Sequence, residues 1–149
     1  MLRPATLADL PLLARHRRAM WEAMGTLAPG APDASEANYA RWLADGMASG
    51  AVVGWVAEGD QGSGLLWFQP WHPRPHIPQG TIPYLLSVFV EPAARGQGIA
   101  RAIAEAAIAA TQAAGHPRLA LHASEAGRPV YAALGFRPGR EMTLDVAKP

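Results

Sequence analysis

The sequence predicts a single α/β domain over residues 1–149, and three observations lead there. Runs with strand character alternate with helical apolar patterns along the whole chain. No internal repeat or shift in composition marks a domain boundary. A glycine turn, Arg95-Gly96-Gln97-Gly98, carries a strand-like run into an alanine-rich helix.

The first strand is expected at residues 2–5. Thr6-x-x-Asp9 has the spacing of a capping box, with Asp in place of the usual Glu or Gln. It precedes a helix whose apolar residues Leu10, Leu13, Ala14, Met20, Trp21 and Met24 fall mostly three or four apart, and Gly25 ends it. After a loop through Pro29, Gly30 and Pro32, Asp33-x-x-Glu36 repeats the capping signal. The helix it opens is expected to bury Tyr39, Ala40, Leu43 and Met47 and to stop near Gly50. Residues 51–58 and 64–69 read as two strands around the turn Gly59-Asp60-Gln61-Gly62. Five prolines between residues 70 and 83 demand an extended, irregular loop. A strand over 84–90, a helix over 98–114 and a strand over 118–122 follow. A short helix over 129–134, with Pro129 in its first turn, and a last strand within 137–146 complete the chain.

Composition narrows the function. Half of the 149 residues are apolar and 17% are charged, as in an ordinary globular protein with a real core. A net charge of +1 offers no dedicated surface for nucleic acid or an acidic membrane. The absence of cysteine removes disulfides, thiolate metal sites and a cysteine nucleophile together, and no metal is expected. Met1-Leu2-Arg3-Pro4-Ala5 lacks the apolar core of a signal peptide, and no apolar run reaches membrane-spanning length. A cytoplasmic protein is the expectation.

The glycine turn is the most informative feature. A turn feeding a helix start aims unpaired backbone N–H groups and the positive end of the helix dipole at one point, which suits a phosphate. Gly96-Gln97-Gly98-Ile99-Ala100-Arg101 superficially matches a dinucleotide fingerprint. Arg101, however, replaces the third glycine, and the residues about twenty further on offer no ribose-binding carboxylate. No Gly-x-x-x-x-Gly-Lys-Ser/Thr is present, which excludes a P-loop ATPase. The plain alternative is a turn that merely connects strand to helix.

Its company decides. Val90-x-Pro92-x-x-Arg95-Gly96-x-Gly98-Ile99-Ala100 resembles the coenzyme A pyrophosphate motif of the GNAT N-acetyltransferase superfamily. Tyr131-Ala132-Ala133-Leu134-Gly135-Phe136 resembles the family's second signature, and Leu2-Arg3-Pro4-Ala5-Thr6-x-x-Asp9 resembles its opening strand and helix. The resemblance spans essentially the whole chain. It implies a mixed, mostly antiparallel central sheet with helices on both faces, in the order β-α-α-β-β-β-α-β-α-β.

The resemblance also implies a chemistry: transfer of an acetyl group from acetyl-CoA to a primary amine of a small molecule or peptide, in a ternary complex. Backbone N–H groups of Arg95, Gly96, Gln97, Gly98, Ile99, Ala100 and Arg101 would hold the pyrophosphate. The main chain of Val88, Phe89 and Val90 would pair with the pantetheine arm as though it were another strand. Ser124 stands where relatives often place an asparagine that contacts the cofactor; an ordinary turn serine is the alternative. Tyr131 would protonate the departing thiolate, since a phenol has a pKa of about 10. Were Gly135 left-handed, Tyr131 and Phe136 would pack as in a Schellman cap, bracing the ring and leaving the hydroxyl free.

The general base is not carried over. Ala120 stands where some relatives have a glutamate, and His122, His72, His76 and Glu22 are weaker options beside a water relay. Trp21, Trp42 and Trp67 read as core, while Trp71 in the proline loop reads as nearer the acceptor mouth. Dimers are common among relatives, so the resemblance allows a homodimer. The alternative function is a non-catalytic acyl-CoA-binding module of the same fold.

Overall fold

The computed structural model describes residues 1–147. Its elements are β1 (Leu2–Pro4), α1 (Leu10–Ala23), α2 (Glu36–Ser49), β2 (Val52–Ala57), β3 (Gly62–Pro70), β4 (Thr81–Val90), α3 (Ile99–Ala113), β5 (Ala120–Leu121) and α4 (Arg128–Ala133). The strands form one sheet in the order β1-β2-β3-β4-β5, antiparallel except for the parallel pair β4–β5.

Helices cover both faces, because alternate residues of a strand point to opposite sides. Neighbouring Leu65 and Leu66 on β3 are both almost fully buried, yet they serve different cores. Leu65 packs with Val52, Val56, Leu13 of α1 and Leu43 of α2. Leu66 packs with Leu85, with Ile103, Ala104 and Ala107 of α3, and with Tyr131 of α4. The approach of α3 depends on Gly64, where a Cβ would stand 2.5 Å from Ile103 Cγ2.

The joint between β1 and α1 is polar. Arg3 grips Asp9 with two hydrogen bonds, Nη1 to Oδ2 at 2.9 Å and Nη2 to Oδ1 at 2.7 Å. The Thr6 N–H donates to Asp9 Oδ2 at 2.7 Å, so the capping box forms around a single 3-10 turn that runs into α1.

Several expectations shift. The second helix starts at Glu36 with Ser35 as its cap, and Asp33 instead accepts from the Ser35 N–H at 2.9 Å. Ala40 is exposed, and Trp42 packs toward the sheet beside Leu43. The fourth strand begins at Thr81 and so contains Pro83. Its register partner Phe68 donates its N–H to Ala51 on the β2 side, which makes Phe68–Pro83 a non-hydrogen-bonded pair. The missing N–H of Pro83 therefore falls on the β5 side, where β5 starts only opposite Tyr84.

The last strand is not formed among the described residues. Residues 137–147 have no regular structure, and Met142, Leu144 and Val146 are 93%, 82% and 83% exposed. The alternation is present, but the tail pairs with no strand among the described residues. Among the described residues no helix is long and apolar enough to cross a membrane.

Asp9 is 8% exposed, and its carboxyl lies well below the ordinary carboxylate range, first through Arg3 and also through Thr6. A depressed folded-state pKa stabilises above the unfolded value of about 4, and that contribution is lost as pH falls through the folded pKa. Asp9→Ala should therefore cost about 1–2 kcal/mol at neutral pH. The deficit relative to wild type should shrink below about pH 4, as urea melts across that range would show.

Candidate active site

Strand β4 has a neighbour on each side only at Tyr84 and Leu85, which pair with Ala120 and Leu121 of β5. Beyond Leu85 the two parallel strands part. The register with β3 also slips there: Leu65 faces Leu86, but Ser63 faces Phe89, so β4 carries one extra residue. Ser87 absorbs it with φ at +53°, a left-handed conformation that few side chains adopt. The Tyr39 hydroxyl of α2 lies 3.4 Å from Ser87 Oγ, and the Arg17 guanidinium sits 4.3 Å from the centre of the Tyr39 ring. Arg17 is itself held by Asp33 at 2.6 Å and Ser35 at 2.6 Å. Ser35 and then Arg17 draw the Asp33 carboxyl down to about 2. This bulge and its Tyr39 contact escape the sequence reading; the only signal is a lone serine within Leu85-Leu86-Ser87-Val88-Phe89-Val90.

Past the bulge, Val88 packs toward α3, whereas Phe89 is buried against the His16 ring on the α1 side. The side chains are thus spoken for, while the β5-side main chain of residues 86–90 meets no strand among the described residues. Val90 leads through a 3-10 turn to Arg95, whose Nε donates back to the Val90 carbonyl at 3.1 Å. Gly96 and Gly98 follow with φ at +78° and +82°, and Gly98 caps α3. Its carbonyl accepts from Ala102 at 2.9 Å, so the N–H groups of Ile99, Ala100 and Arg101 are left without helical partners. The Arg101 side chain points away to Glu105, 2.9 Å from it and half exposed. An open groove of about 450 Å³ runs from Gln97, Gly98 and Ile99 to Met1, Leu2 and Glu58, on the β1–β2 side of the turn and not the β5 side.

Tyr131 sits on α4, in the same core as Leu85. The expected cap forms around it: Gly135 has φ at +96°, the Phe136 N–H donates to the Tyr131 carbonyl at 3.0 Å, and the Gly135 N–H donates to Ala132 at 3.0 Å. Phe136 meets the Tyr131 ring edge to face at 5.8 Å. Burial pushes the phenol pKa up. Ser124 Oγ accepts from the Gly127 N–H at 3.1 Å at the start of α4, so its oxygen serves the turn while its proton stays available.

The weaker base candidates do not gather at the bulge. His122 is 77% exposed, stacked on Tyr84 at 5.5 Å and 3.9 Å from Glu141. His72 and His76 lie exposed in the proline loop, His72 against Trp71. Glu22 is engaged by Arg18 at 2.9 Å. Trp42 and Trp67 meet edge to face at 5.4 Å within the α1–α2 core, as expected.

Known proteins share this fold. A family model described as an acetyltransferase (GNAT) domain matches residues 75–144. A GCN5-related N-acetyltransferase from Ralstonia eutropha is 33% identical, with 99% of each chain covered and a TM-score of 0.86. A predicted acetyltransferase from Clostridium acetobutylicum, solved with acetyl-CoA, is 25% identical over 98% of this chain and 96% of that one, with a TM-score of 0.87. Glucosamine-6-phosphate N-acetyltransferase from Arabidopsis thaliana shares the fold at 15% identity, with 99% of each chain covered and a TM-score of 0.66. No curated protein sequence matches the chain.

A Cβ at Gly98 would meet nothing within 4 Å, so only the backbone conformation resists a side chain there. Gly98→Ala should cost about 1 kcal/mol through left-handed strain alone. Gly139→Ala, equally uncrowded and without positive φ, should leave the thermal midpoint unchanged.

Proposed function

This chain belongs to the GNAT family of acetyltransferases, and on that premise we propose that it moves an acetyl group from acetyl-CoA to a primary amine of a small molecule or peptide. The transfer is a direct attack in a ternary complex formed within one domain, residues 1–149, in the cytoplasm. The observation that carries the reading is the parting of β4 from β5 beyond Leu85, which leaves a strand edge leading to an N–H-rich turn.

Along that edge the main chain of Val88, Phe89 and Val90 would pair with the pantetheine arm. The N–H groups from Gly96 to Arg101 would hold the pyrophosphate, that of Arg95 being turned to the Pro92 carbonyl at 3.4 Å, with no demand on the Arg101 side chain. Ser124 would donate its free proton to the cofactor. Acetyl-CoA supplies a carbonyl already activated as a thioester.

As the amine nitrogen bonds to that carbonyl carbon, a β4 backbone N–H freed by the bulge would hold the oxygen that gains charge. The carbon–sulfur bond then breaks, and the Tyr131 hydroxyl gives its proton to the thiolate. Tyr131 regains a proton released, through water, by the new amide nitrogen. Amine and thioester thus become amide and thiol. The phenol is protonated at neutral pH, as a general acid must be, and burial keeps it so while making it a weaker donor.

Tyr131→Phe should lower kcat about 100-fold while leaving the acetyl-CoA dissociation constant within about threefold of wild type. Unchanged turnover would remove Tyr131 from the mechanism. Thiol release across a panel of amines tests the transfer itself. Tight acetyl-CoA binding with no release for any amine would favour a non-catalytic acyl-CoA-binding module.

A second copy of the chain is the partner this reading gives to the bare tail. Each chain carries both halves of a strand exchange: the alternating Met142, Leu144 and Val146, and a β5 with no outer neighbour. Light scattering should show a dimer, and Leu144→Asp should shift it to monomer with circular dichroism unchanged. A monomeric wild type, or a variant that stays dimeric, would sink the exchange.

A further inference from the structure

Three polar side chains meet on the α1 face of the sheet, behind the glycine turn, and the transfer chemistry uses none of them. His16 of α1 and Ser63 of β3 are each 1% exposed, and His16 Nδ1 lies 2.8 Å from Ser63 Oγ. His16 Nε2 makes no hydrogen bond among the described residues and stands 3.5 Å from Glu91 Oε1, with the Asp60 backbone also facing the ring. Arg15 donates to the same oxygen at 2.9 Å.

The carboxylate fixes the ring's tautomer. A neutral imidazole can present only one N–H, and an Nε2 lone pair facing Glu91 would be repelled. Nε2 therefore carries the proton toward Glu91, and Nδ1 accepts from the Ser63 hydroxyl. Burial holds the imidazole pKa down, and Arg15 adds to that, so the neutral form is the one present at pH 7. Ser63 is too enclosed to act on any substrate.

Glu91 links this cluster to the cradle. Its N–H donates to the Gln61 carbonyl at 2.8 Å, on the far side of the β3 start. Its own carbonyl accepts from Ala94 at 2.9 Å and closes the 3-10 turn that leads to Arg95. A buried imidazole is costly unless its nitrogens are matched, and a leucine at this site, three residues after Leu13, would simply extend the stripe. The polar choice needs a polar task.

We propose that His16 is a positioning residue for acetyl-CoA: bonded to Ser63 and standing against Glu91, it sets the end of β4 and so the attitude of the 95–101 turn toward the pyrophosphate. This rests on reading that turn as the pyrophosphate cradle.

The test compares acetyl-CoA binding by calorimetry with steady-state kinetics. His16→Asn keeps an acceptor near the Nδ1 position and removes the arm toward Glu91. Glu91→Ala removes the other end. Each should raise the dissociation constant and KM for acetyl-CoA about tenfold with kcat within about threefold, the reverse of the Tyr131→Phe pattern. The double variant should be no worse than either single one, because both cut the same link. Glu91→Ala, at a partly exposed side chain, carries the comparison by itself should His16→Asn fold poorly. A merely structural histidine would lower the thermal midpoint and leave both constants at wild-type values, which overturns the proposal. A wild-type chain that binds no acetyl-CoA overturns the cradle reading and this one with it.

Discussion

Beyond Leu85 the fourth strand loses its neighbour on one side while keeping the other, and the rest of the site depends on that asymmetry. A backbone edge in a protein interior must be hydrogen-bonded, covered or wet. Here β5 turns away after two residues, so the β4 edge is left for something that can pair with main chain. On its other side, against β3, the same strand carries the bulge at Ser87. A left-handed serine stores of the order of 1 kcal/mol, which a relaxed strand would not carry. Tyr39 and Arg17 brace it from the α1–α2 side, so the strained point is also a junction between that layer and the sheet.

The two helical layers divide the labour. The α3–α4 layer is apolar where it meets the sheet, with Ile103 seated over Gly64 and Tyr131 fixed by its own cap. The close helix–sheet approach that a dinucleotide fold obtains from a third glycine on the helix is obtained here from a glycine on β3. Arg101 can therefore occupy the helix position and face Glu105. The α1–α2 layer is the polar one: Arg3 with Asp9, Arg17 with Asp33, and His16 with Ser63 all tie α1 or its approach to what it covers.

What could be read from the sequence was what is local. The capping box at Thr6, the glycine turn at Gly98 and the Tyr131–Phe136 cap are each set by residues within six positions of one another, so spacing alone specifies them. What could not be read depends on register. The bulge at Ser87 is a mismatch between β3 and β4 counts, and neither strand shows it by itself. His16 falls three residues after Leu13 and passes as part of the apolar stripe; only the fold brings Ser63, 47 positions away, and Glu91 to its ring. Pro83 misled for a related reason, since its tolerance depends on where a different strand begins.

The unformed last strand follows the same logic to its end. Period-two alternation states that a segment can lie on a sheet with one face covered, but not which edge receives it. Thr143 and Asp145 supply the polar face and Met142, Leu144 and Val146 the apolar one, so the segment is complete as a strand. β5 is short because it has already diverged from β4, and that divergence is what leaves the Val88–Val90 edge open. The departure of β5 from β4 concerns its inner side; the tail would need its outer edge, which is unpaired among the described residues.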